Sequence, residues 1–220
     1  MKSTMVGTAR VIRKVAQLVE AAFAGERGSH DWDHTLRVHD LCLAIAKREG
    51  GDTGVLRLAA YLHDIGRTRR FGRGAGGHAA RGARAARGIL ARMNIDAGVV
   101  DAVVHCIATH RFRGTALPES PEAKVLFDAD KLDSIGAVGI GRAFLFAGEN
   151  GAKVHNRPGV DVEKTRALSV EDTAYREYLV KLRHVKDRLF TREGRRLARR
   201  RHLFMVRFFA QIEAEVRGTA

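Results

Sequence analysis

The sequence predicts an all-α protein, and three observations lead to that fold class. Apolar residues recur at helical spacing in nearly every segment, and no run with the two-residue period of a strand reaches a useful length. Only three of the 220 residues are proline, at positions 118, 121 and 158, so long uninterrupted helices are permitted. Aromatic residues make up only 6% of the chain and alanine is abundant, which favours closely packed helices.

The first three predicted helices each have an apolar stripe. On the first helix the stripe consists of Val11, Val15, Leu18, Val19 and Phe23. On the second it consists of His34, Val38, Leu41 and Ile45, so that a histidine is its first inward-facing member. The third helix, VLRLAAYLHD, brings His63 and Asp64 to its end, and Gly66 follows as a plausible left-handed stop.

The next three predicted helices follow a loop rich in glycine and arginine, RTRRFGRGAGG. The fourth begins near His78 and has Gly82, Ala85, Ala86, Ile89 and Met93 on the same face. The fifth has a stripe of Val100, Val103, Val104 and Ile107, with His110 one turn beyond. The sixth, over residues 122–147, aligns Leu126, Ala129, Asp130, Asp133 and Ala137.

The C-terminal part begins with a segment that lacks the helical spacing of apolar residues. Residues 148–164, GENGAKVHNRPGVDVEK, contain Gly, Asn and Pro, and the segment is too long for an ordinary connection. It is either a functional lid or a mobile insertion. Two further helices follow, the last over residues 191–216. We therefore expect one domain over residues 1–220, with a core at about 8–147, a loop at 148–170 and C-terminal helices at 171–217.

The charge and the terminal sequence indicate the partners and the compartment. Lys and Arg number 39 against 25 acidic residues, a net charge of +14, which favours polyanions such as nucleotides, nucleic acid or an anionic membrane surface. No apolar run approaches the roughly 20 residues that span a bilayer, and the N-terminal segment lacks a signal-peptide core. Cys42 and Cys106 lie in apolar helical surroundings as core residues. We expect a cytoplasmic protein with no membrane partner.

Polar residues of the kind that bind metals interrupt three of the apolar stripes. These residues are His34, the pair His63 and Asp64, and Asp130. Burying such groups is unfavourable unless each finds a partner, which could be a cation or a local hydrogen bond. A helical bundle can bring them to one point, and two imidazoles with two carboxylates suit Mn, Fe, Ni or Zn.

Three motifs resemble those of the HD superfamily of metal-dependent phosphohydrolases, most closely its small single-domain bacterial and archaeal branch. They are SHDWDHTLRV, YLHDIG and DADKLDSIGAVGIGR. The resemblance continues through LSVEDTAYREYLVKLRHVKDRLFT and ARRRHLFMVRFF, so it implies an HD helical bundle with additional C-terminal helices. The order H…HD…D implies the metal ligands His34, His63, Asp64 and Asp130. Asp130 is preferred to Asp128, which falls off the inward stripe.

The resemblance further implies hydrolysis of phosphoester or phosphoanhydride bonds. For this branch it suggests a nucleoside triphosphate pyrophosphohydrolase that releases pyrophosphate, with one divalent ion per chain (Mn, Fe, Ni, Zn or Mg). The alternatives within enzymes are a nucleotide phosphomonoesterase and a cyclic phosphodiesterase. A different class is a nucleic-acid-binding or nucleotide-binding module with a decayed site. The chain is expected to be a monomer or a homodimer.

Further residues are candidates for the reaction itself. The candidate catalytic residues are Asp64, His110 and Asp133, and the candidate substrate-binding residues are Arg67, His78 and Arg142. His78 and His110 could instead cap helices, fill the core or bind a second metal, whereas Asp133 and Arg142 could each form a structural ion pair. Most of the polar residues near the first motif are explained by helix entry, capping or exposure; these are His30, Asp31, Asp33 and His39.

The last predicted helix has arginines on one face and apolar residues on the opposite one. The arginines are Arg192, Arg195, Arg196, Arg199 and Arg200, and the apolar residues are Leu197, Phe204, Met205, Phe208 and Ile212. We interpret the arginine face as solvated, with nucleic-acid binding as the less favoured alternative. Arg201 falls within the apolar stripe, so it is expected to pair with a buried carboxylate.

Overall fold

The structure, a computed structural model, describes residues 2–26, 28–111 and 116–220. Within these ranges the chain forms α-helices and short 3-10 segments without any strand, which confirms the all-α fold class. The helices are α1 (Lys2–Phe23), α2 (Trp32–Glu49), α3 (Thr53–Leu62), α4 (His78–Ala91), α5 (Ala97–Thr109), α6 (Pro121–Asp133), α7 (Gly136–Glu149), α8 (Ala174–Val180) and α9 (Arg192–Val216).

The chain divides into two compact units, Met1–Asp130 and Lys131–Ala220. In the first unit, α3 packs against α1, α2 and α5, and α4 packs against α5. Helix α4 also contacts a 3-10 turn, Ile65–Arg67, that follows α3. Leu56, Leu62 and Ile107 are fully buried here, so the end of α3 lies in the core of this unit.

Aspartate side chains fix where the helices of the first unit begin. Asp31 accepts a hydrogen bond of 2.8 Å from the backbone N–H of His34 at the start of α2, as expected for a capping residue. Asp52 and Asp96 accept in the same way from backbone N–H groups at the starts of α3 and α5. These caps set the register of the helices, and the cap of α2 places His34 in its first turn.

The single helix expected over residues 122–147 is two helices, so that prediction was wrong. The chain turns between α6 and α7, where Gly136 has a φ of 81°, a left-handed conformation that interrupts an α-helix. The turn is tight, since a Cβ on Gly139 would lie 2.3 Å from the carbonyl of Ser134. Ala137, expected on the inward stripe, is consequently exposed.

Asp128 also differs from its expected position. It was expected off the inward stripe, but it is fully buried, whereas Asp130 is 8% exposed. The reason is that α6 is covered on nearly all sides: of residues 123–130, only Lys124 is not buried. Because this part of α6 is buried on nearly all sides, Asp128 is buried although it lies on a different side of the helix from Asp130.

Helix α9 confirms the predicted apolar stripe only in part, since Met205 is buried as expected and Leu197, Phe208 and Ile212 are half-buried. The buried residues include Ala198, Met205 and Phe209, while Phe204, expected inside, is 49% exposed. Phe209 stacks on Tyr178 with ring centroids 4.5 Å apart, and this contact selects the face that packs. The five arginines of the predicted solvated face are exposed, as expected.

Arg201 lies over the turn between α6 and α7. Its Nη1 donates a hydrogen bond to the backbone carbonyl of Leu132, and its side chain packs against Gly136. Burial lowers the pKa of the guanidinium, while the nearby carboxylate of Asp133 acts in the opposite direction. The expected buried carboxylate is therefore close, although the hydrogen-bond partner is a carbonyl.

The segment between α7 and α8 is held by hydrogen bonds of its own. Lys153 N donates to the carbonyl of Val170 at 2.9 Å. Buried Asn156 donates to the carbonyl of Glu171 at 3.0 Å and accepts from the hydroxyl of Thr173 at 2.6 Å. Its possible function as a lid stays a prediction. Within the described ranges, none of the helices is both long and apolar enough to cross a bilayer.

Candidate metal centre

His63 and Asp64 lie at the end of α3, where the helix passes into the 3-10 turn Ile65–Arg67. Gly66 does not adopt the left-handed conformation expected of a helix stop. Instead, a Cβ at this position would lie 2.2 Å from the carbonyl oxygen of His78 and 2.5 Å from the nitrogen of Gly82. Glycine is required here because the turn packs directly against the backbone of α4.

The ring of His63 is oriented by the helix that precedes it. Its Nδ1 donates a hydrogen bond of 2.7 Å to the carbonyl of Ala60, so its Nε2 bears a lone pair. This Nε2 lies 3.2 Å from Nε2 of His34. Both rings are fully buried, and burial lowers the pKa of His63 to about 4. The imidazole of His63 is therefore neutral at neutral pH, as a metal ligand must be.

Two carboxylates complete this group of side chains. Nε2 of His34 lies 3.5 Å from Oδ1 of Asp130 and 3.7 Å from Oδ2 of Asp64. Nε2 of His63 lies 3.8 Å from the same oxygen of Asp64. The four predicted metal ligands, from α2, the end of α3 and α6, thus meet at one point.

The spacing of these atoms fits a divalent cation. With metal–ligand bonds of about 2.1 Å, neighbouring ligand atoms are about 3.0 to 3.5 Å apart, close to the separations found here. His34, His63 and Asp130 can hold an ion together, as can His34, Asp64 and His30. The four predicted ligands provide two imidazole nitrogens and two carboxylates, and these donors suit Mn, Fe, Ni or Zn.

The other oxygen of Asp64 faces a second group of side chains. Its Oδ1 lies 2.8 Å from Nε of Arg67, 3.6 Å from Nε2 of His110 and 3.7 Å from Nε2 of His78. Despite these neighbours, Oδ1 accepts no hydrogen bond of acceptable geometry from the described residues. Burial would raise the pKa of the Asp64 carboxyl, but the surrounding histidines, above all His63, outweigh it and hold this pKa well below its usual value.

Comparison with known proteins identifies the family. A model of the HD domain matches residues 31–135. Over 209 residues the chain is 34% identical to the uncharacterised protein YpgQ of Bacillus subtilis, and the match covers 91% of each chain. The chain belongs to the HD superfamily.

Several solved structures share the fold. The crystal structure of Bacillus subtilis YpgQ matches with a TM-score of 0.76 and 28% identity, over 97% of this chain and 99% of that one. An HD-superfamily hydrolase from Bacillus thuringiensis matches with a TM-score of 0.74 and 25% identity, over 94% and 97% of the two chains. YpgQ has also been crystallised in complex with ADP; that structure matches with a TM-score of 0.71 and 30% identity, over 93% and 100%.

The protein is accordingly a metal-dependent phosphohydrolase. A divalent cation supplies two effects in such chemistry: it polarises a phosphoryl oxygen and it makes a water molecule acidic near neutral pH. The contributions of the chain are visible in the HD centre. His63 presents a neutral nitrogen, Asp64 presents an ionised carboxylate, and Arg67 places a positive charge beside that carboxylate.

Sequence reasoning missed His30 as a residue of the HD centre. Its Nδ1 donates a hydrogen bond of 2.8 Å to Oδ2 of Asp64, and its ring lies edge-on to that of His34. Because His30 precedes the first turn of α2, helical periodicity could not place it on a face. The spacing H-x-x-x-H to His34 was the one local indication that the two rings could converge.

Asp133 and Arg142 bind each other in the second unit. Nη1 of Arg142 donates a hydrogen bond of 2.8 Å to Oδ2 of Asp133, whose side chain is almost fully buried. The bond joins the end of α6 to the first half of α7 and gives the buried carboxylate of Asp133 a positive partner. The structural ion pair that the sequence left open is therefore present, while their roles in catalysis and substrate binding stay predictions.

The basic loop before α4 is braced by arginines of that helix. Arg81 donates to the carbonyls of Gly66 and Gly76, and Arg84 donates to the carbonyl of Ala75. By contrast, Arg69 is exposed and its backbone N–H donates to Glu26 at 2.8 Å. Of the arginines in the loop RTRRFGRGAGG, Arg67 is the one in contact with a metal-ligand candidate, Asp64.

Proposed function

We propose that this HD hydrolase is a nucleoside triphosphate pyrophosphohydrolase, cleaving between the α and β phosphates to release a nucleoside monophosphate and pyrophosphate. The observation that carries the proposal is the ADP complex of Bacillus subtilis YpgQ, a relative of similar length. A protein of this fold can hold a nucleotide with a phosphoanhydride, which is the kind of substrate proposed.

In this proposal the metal ligands are His34, His63, Asp64 and Asp130. They hold one divalent ion, drawn from Mn, Fe, Ni, Zn or Mg. The distances of 3.2 to 3.8 Å between their donor atoms and the neutral state of His63 support the assignment.

Positive charge beside these ligands supports a substrate with several phosphates. The side chain of Arg67 is 33% exposed, so it can bind a phosphate oxygen while its Nε stays beside Asp64. Helix α4 begins at His78 without a side-chain cap, and free N–H groups at a helix N-terminus bind anions. A triphosphate can bind the cation through one phosphate and this region through the others, whereas a monoester has a single phosphate to share.

His110 is positioned to handle a proton. Its Nδ1 donates to the carbonyl of Ile107 at 2.6 Å, so its Nε2 bears a lone pair, and this nitrogen lies 3.6 Å from Oδ1 of Asp64. We assign the deprotonation of the attacking water to His110 and its orientation to Asp64, whose low pKa makes its carboxylate a weak base. Asp133 and Arg142 remain weaker candidates, since their mutual ion pair already gives buried Asp133 a partner.

The experiment is a product analysis with defined nucleotides. The purified protein is incubated with ribonucleoside and deoxyribonucleoside tri-, di- and monophosphates and with each divalent ion in turn, and the phosphorus products are resolved by 31P NMR. We expect pyrophosphate and the nucleoside monophosphate from triphosphates. In 18O-water, the label should enter the monophosphate if attack occurs at the α phosphorus, and the pyrophosphate if attack occurs at the β phosphorus.

Matched variants connect the activity to the HD centre. Asp64→Asn should abolish turnover and metal retention, while Asp40→Asn, a change of the same chemistry at an 81% exposed side chain of α2, should alter neither. Release of orthophosphate from triphosphates or from monophosphates would contradict the proposed bond. Salt-sensitive binding of DNA or RNA without turnover would instead indicate the binding-module alternative.

A further inference from the structure

Asp64, His78 and His110 form a second set of metal-type donors. One donor atom from each lies within 4.8 Å of the others. The set shares Asp64 with the first group but uses its opposite carboxylate oxygen, Oδ1 in place of Oδ2. Two histidines and a carboxylate are enough to hold a divalent ion with open positions, so the donors alone would permit a second cation.

The hydrogen bonds show that both histidines present lone pairs towards this set. His110 donates from Nδ1 to the carbonyl of Ile107 at 2.6 Å, which leaves Nε2 as an acceptor. His78 accepts at Nε2 a hydrogen bond of 3.0 Å from Nη2 of Arg67. The donors are therefore in the protonation state that binds a positive charge.

The positive charge found there belongs to Arg67. Its Nε lies 2.8 Å from Oδ1 of Asp64 while its Nη2 donates to His78, so one guanidinium contacts two of the three donors. A guanidinium remains charged at all ordinary pH values, which makes this a fixed cation.

The backbone holds Arg67 in this position. Its N–H donates to the carbonyl of Asp64 at 2.9 Å, which closes the 3-10 turn. Gly66, immediately before it, packs against the backbone of α4, the helix that begins with His78. The turn thus fixes where the Arg67 side chain begins, and the contacts with Asp64 and His78 hold its guanidinium beside the donors.

We propose that Arg67 occupies the place of a second divalent cation, so that the HD centre binds a single metal ion and uses a guanidinium as its second positive charge. A divalent ion at this set would approach the guanidinium to about 4 Å, where two positive charges repel each other. The proposal rests on the ligand assignment of the first cation and is independent of which phosphate bond is cleaved.

The test is a count of bound ions rather than an activity. The full chain is stripped with EDTA, loaded with Mn²⁺ and desalted, and the ions per chain are measured by elemental analysis and native mass spectrometry. The wild-type protein should retain one ion. Arg67→Ala and Arg67→Gln should each retain two, and their electron paramagnetic resonance spectra should show the exchange coupling of a manganese pair.

Two controls assign the additional ion to the second donor set. Arg67→Ala combined with His78→Ala should return to one ion. Arg70→Ala, which removes a neighbouring arginine that lies over the ring of Phe71, should keep the wild-type count of one. Two ions in the wild-type protein, or one ion in either Arg67 variant, would overturn the proposal, and the wild-type count decides even if both variants fail to fold.

Discussion

Gly66→Ala should destabilise the protein through one added methyl group. The φ of Gly66 lies outside the left-handed region, so alanine is compatible with its backbone conformation. The new Cβ would lie 2.2 Å from the carbonyl oxygen of His78, whereas ordinary contact begins at 3.4 Å. Both nearest atoms belong to the backbone of α4, so the helix or the turn must move by about 1 Å, beyond what a side-chain rotation can absorb.

The magnitude follows from measured costs of overpacking. An added methyl in a close-packed interior destabilises by about 1 to 3 kcal/mol, which for a chain of this length lowers the melting temperature by about 2 to 12 °C. The movement of the turn or of α4 should also displace Arg67 and His78. Turnover should therefore fall although no proposed metal ligand has changed.

The assay is thermal and urea unfolding followed by circular dichroism, in EDTA so that metal binding does not contribute. Gly141→Ala is the matched control, because Gly141 is an exposed residue of α7 whose added Cβ would meet no atom within 4 Å. Alanine is favoured over glycine in a helix by about 1 kcal/mol, so the control should be slightly more stable than the wild type. If Gly66→Ala is as stable as the wild-type protein, the close packing of the turn on α4 is refuted.

Three further predictions concern buried groups. Burial raises the pKa of Cys106 to about 12 and that of Cys42 well above its usual value, so Ellman's reagent at pH 8 should label neither thiol until the protein unfolds. Burial lowers the pKa of His63 to about 4 from 6.5, so the metal-free protein should lose stability as pH falls from 6.5 towards 4, by on the order of 3 kcal/mol in urea titrations. Asn156→Ala leaves the hydroxyl of Thr173 without its acceptor and should destabilise this segment by about 1 to 3 kcal/mol. Residues 150–173 should then be cleaved faster by a protease, and an unchanged cleavage rate would contradict the prediction.

The helices could be predicted because their apolar spacing is a local property of the chain. The capping role of Asp31 and the solvated arginines of α9 were likewise predictable, since each depends on residues within a turn or two. The break at Gly136 was missed because apolar residues continue at helical spacing across it. The buried face of α9 was predicted only in part: Met205 is buried as expected, but the burial of Phe209 depends on its contact with Tyr178, which is not local.

In the HD centre, too, the sequence predicted the local features but not the contacts between distant residues. The order of His34, His63, Asp64 and Asp130 along the chain was enough to suggest a metal-binding group, but no local pattern gives the distances between them. His30 was overlooked because it lies in the bend before α2, outside any periodic stripe.

The sequence by itself determined that the chain is helical and which donor types it contributes to the centre, because periodicity and side-chain chemistry are properties of neighbouring residues. Only the tertiary structure decided which oxygen of Asp64 faces which histidines, and why residue 66 must be glycine. Both depend on how closely the turn after α3 approaches α4, a distance set by the packing of helices that are remote in sequence.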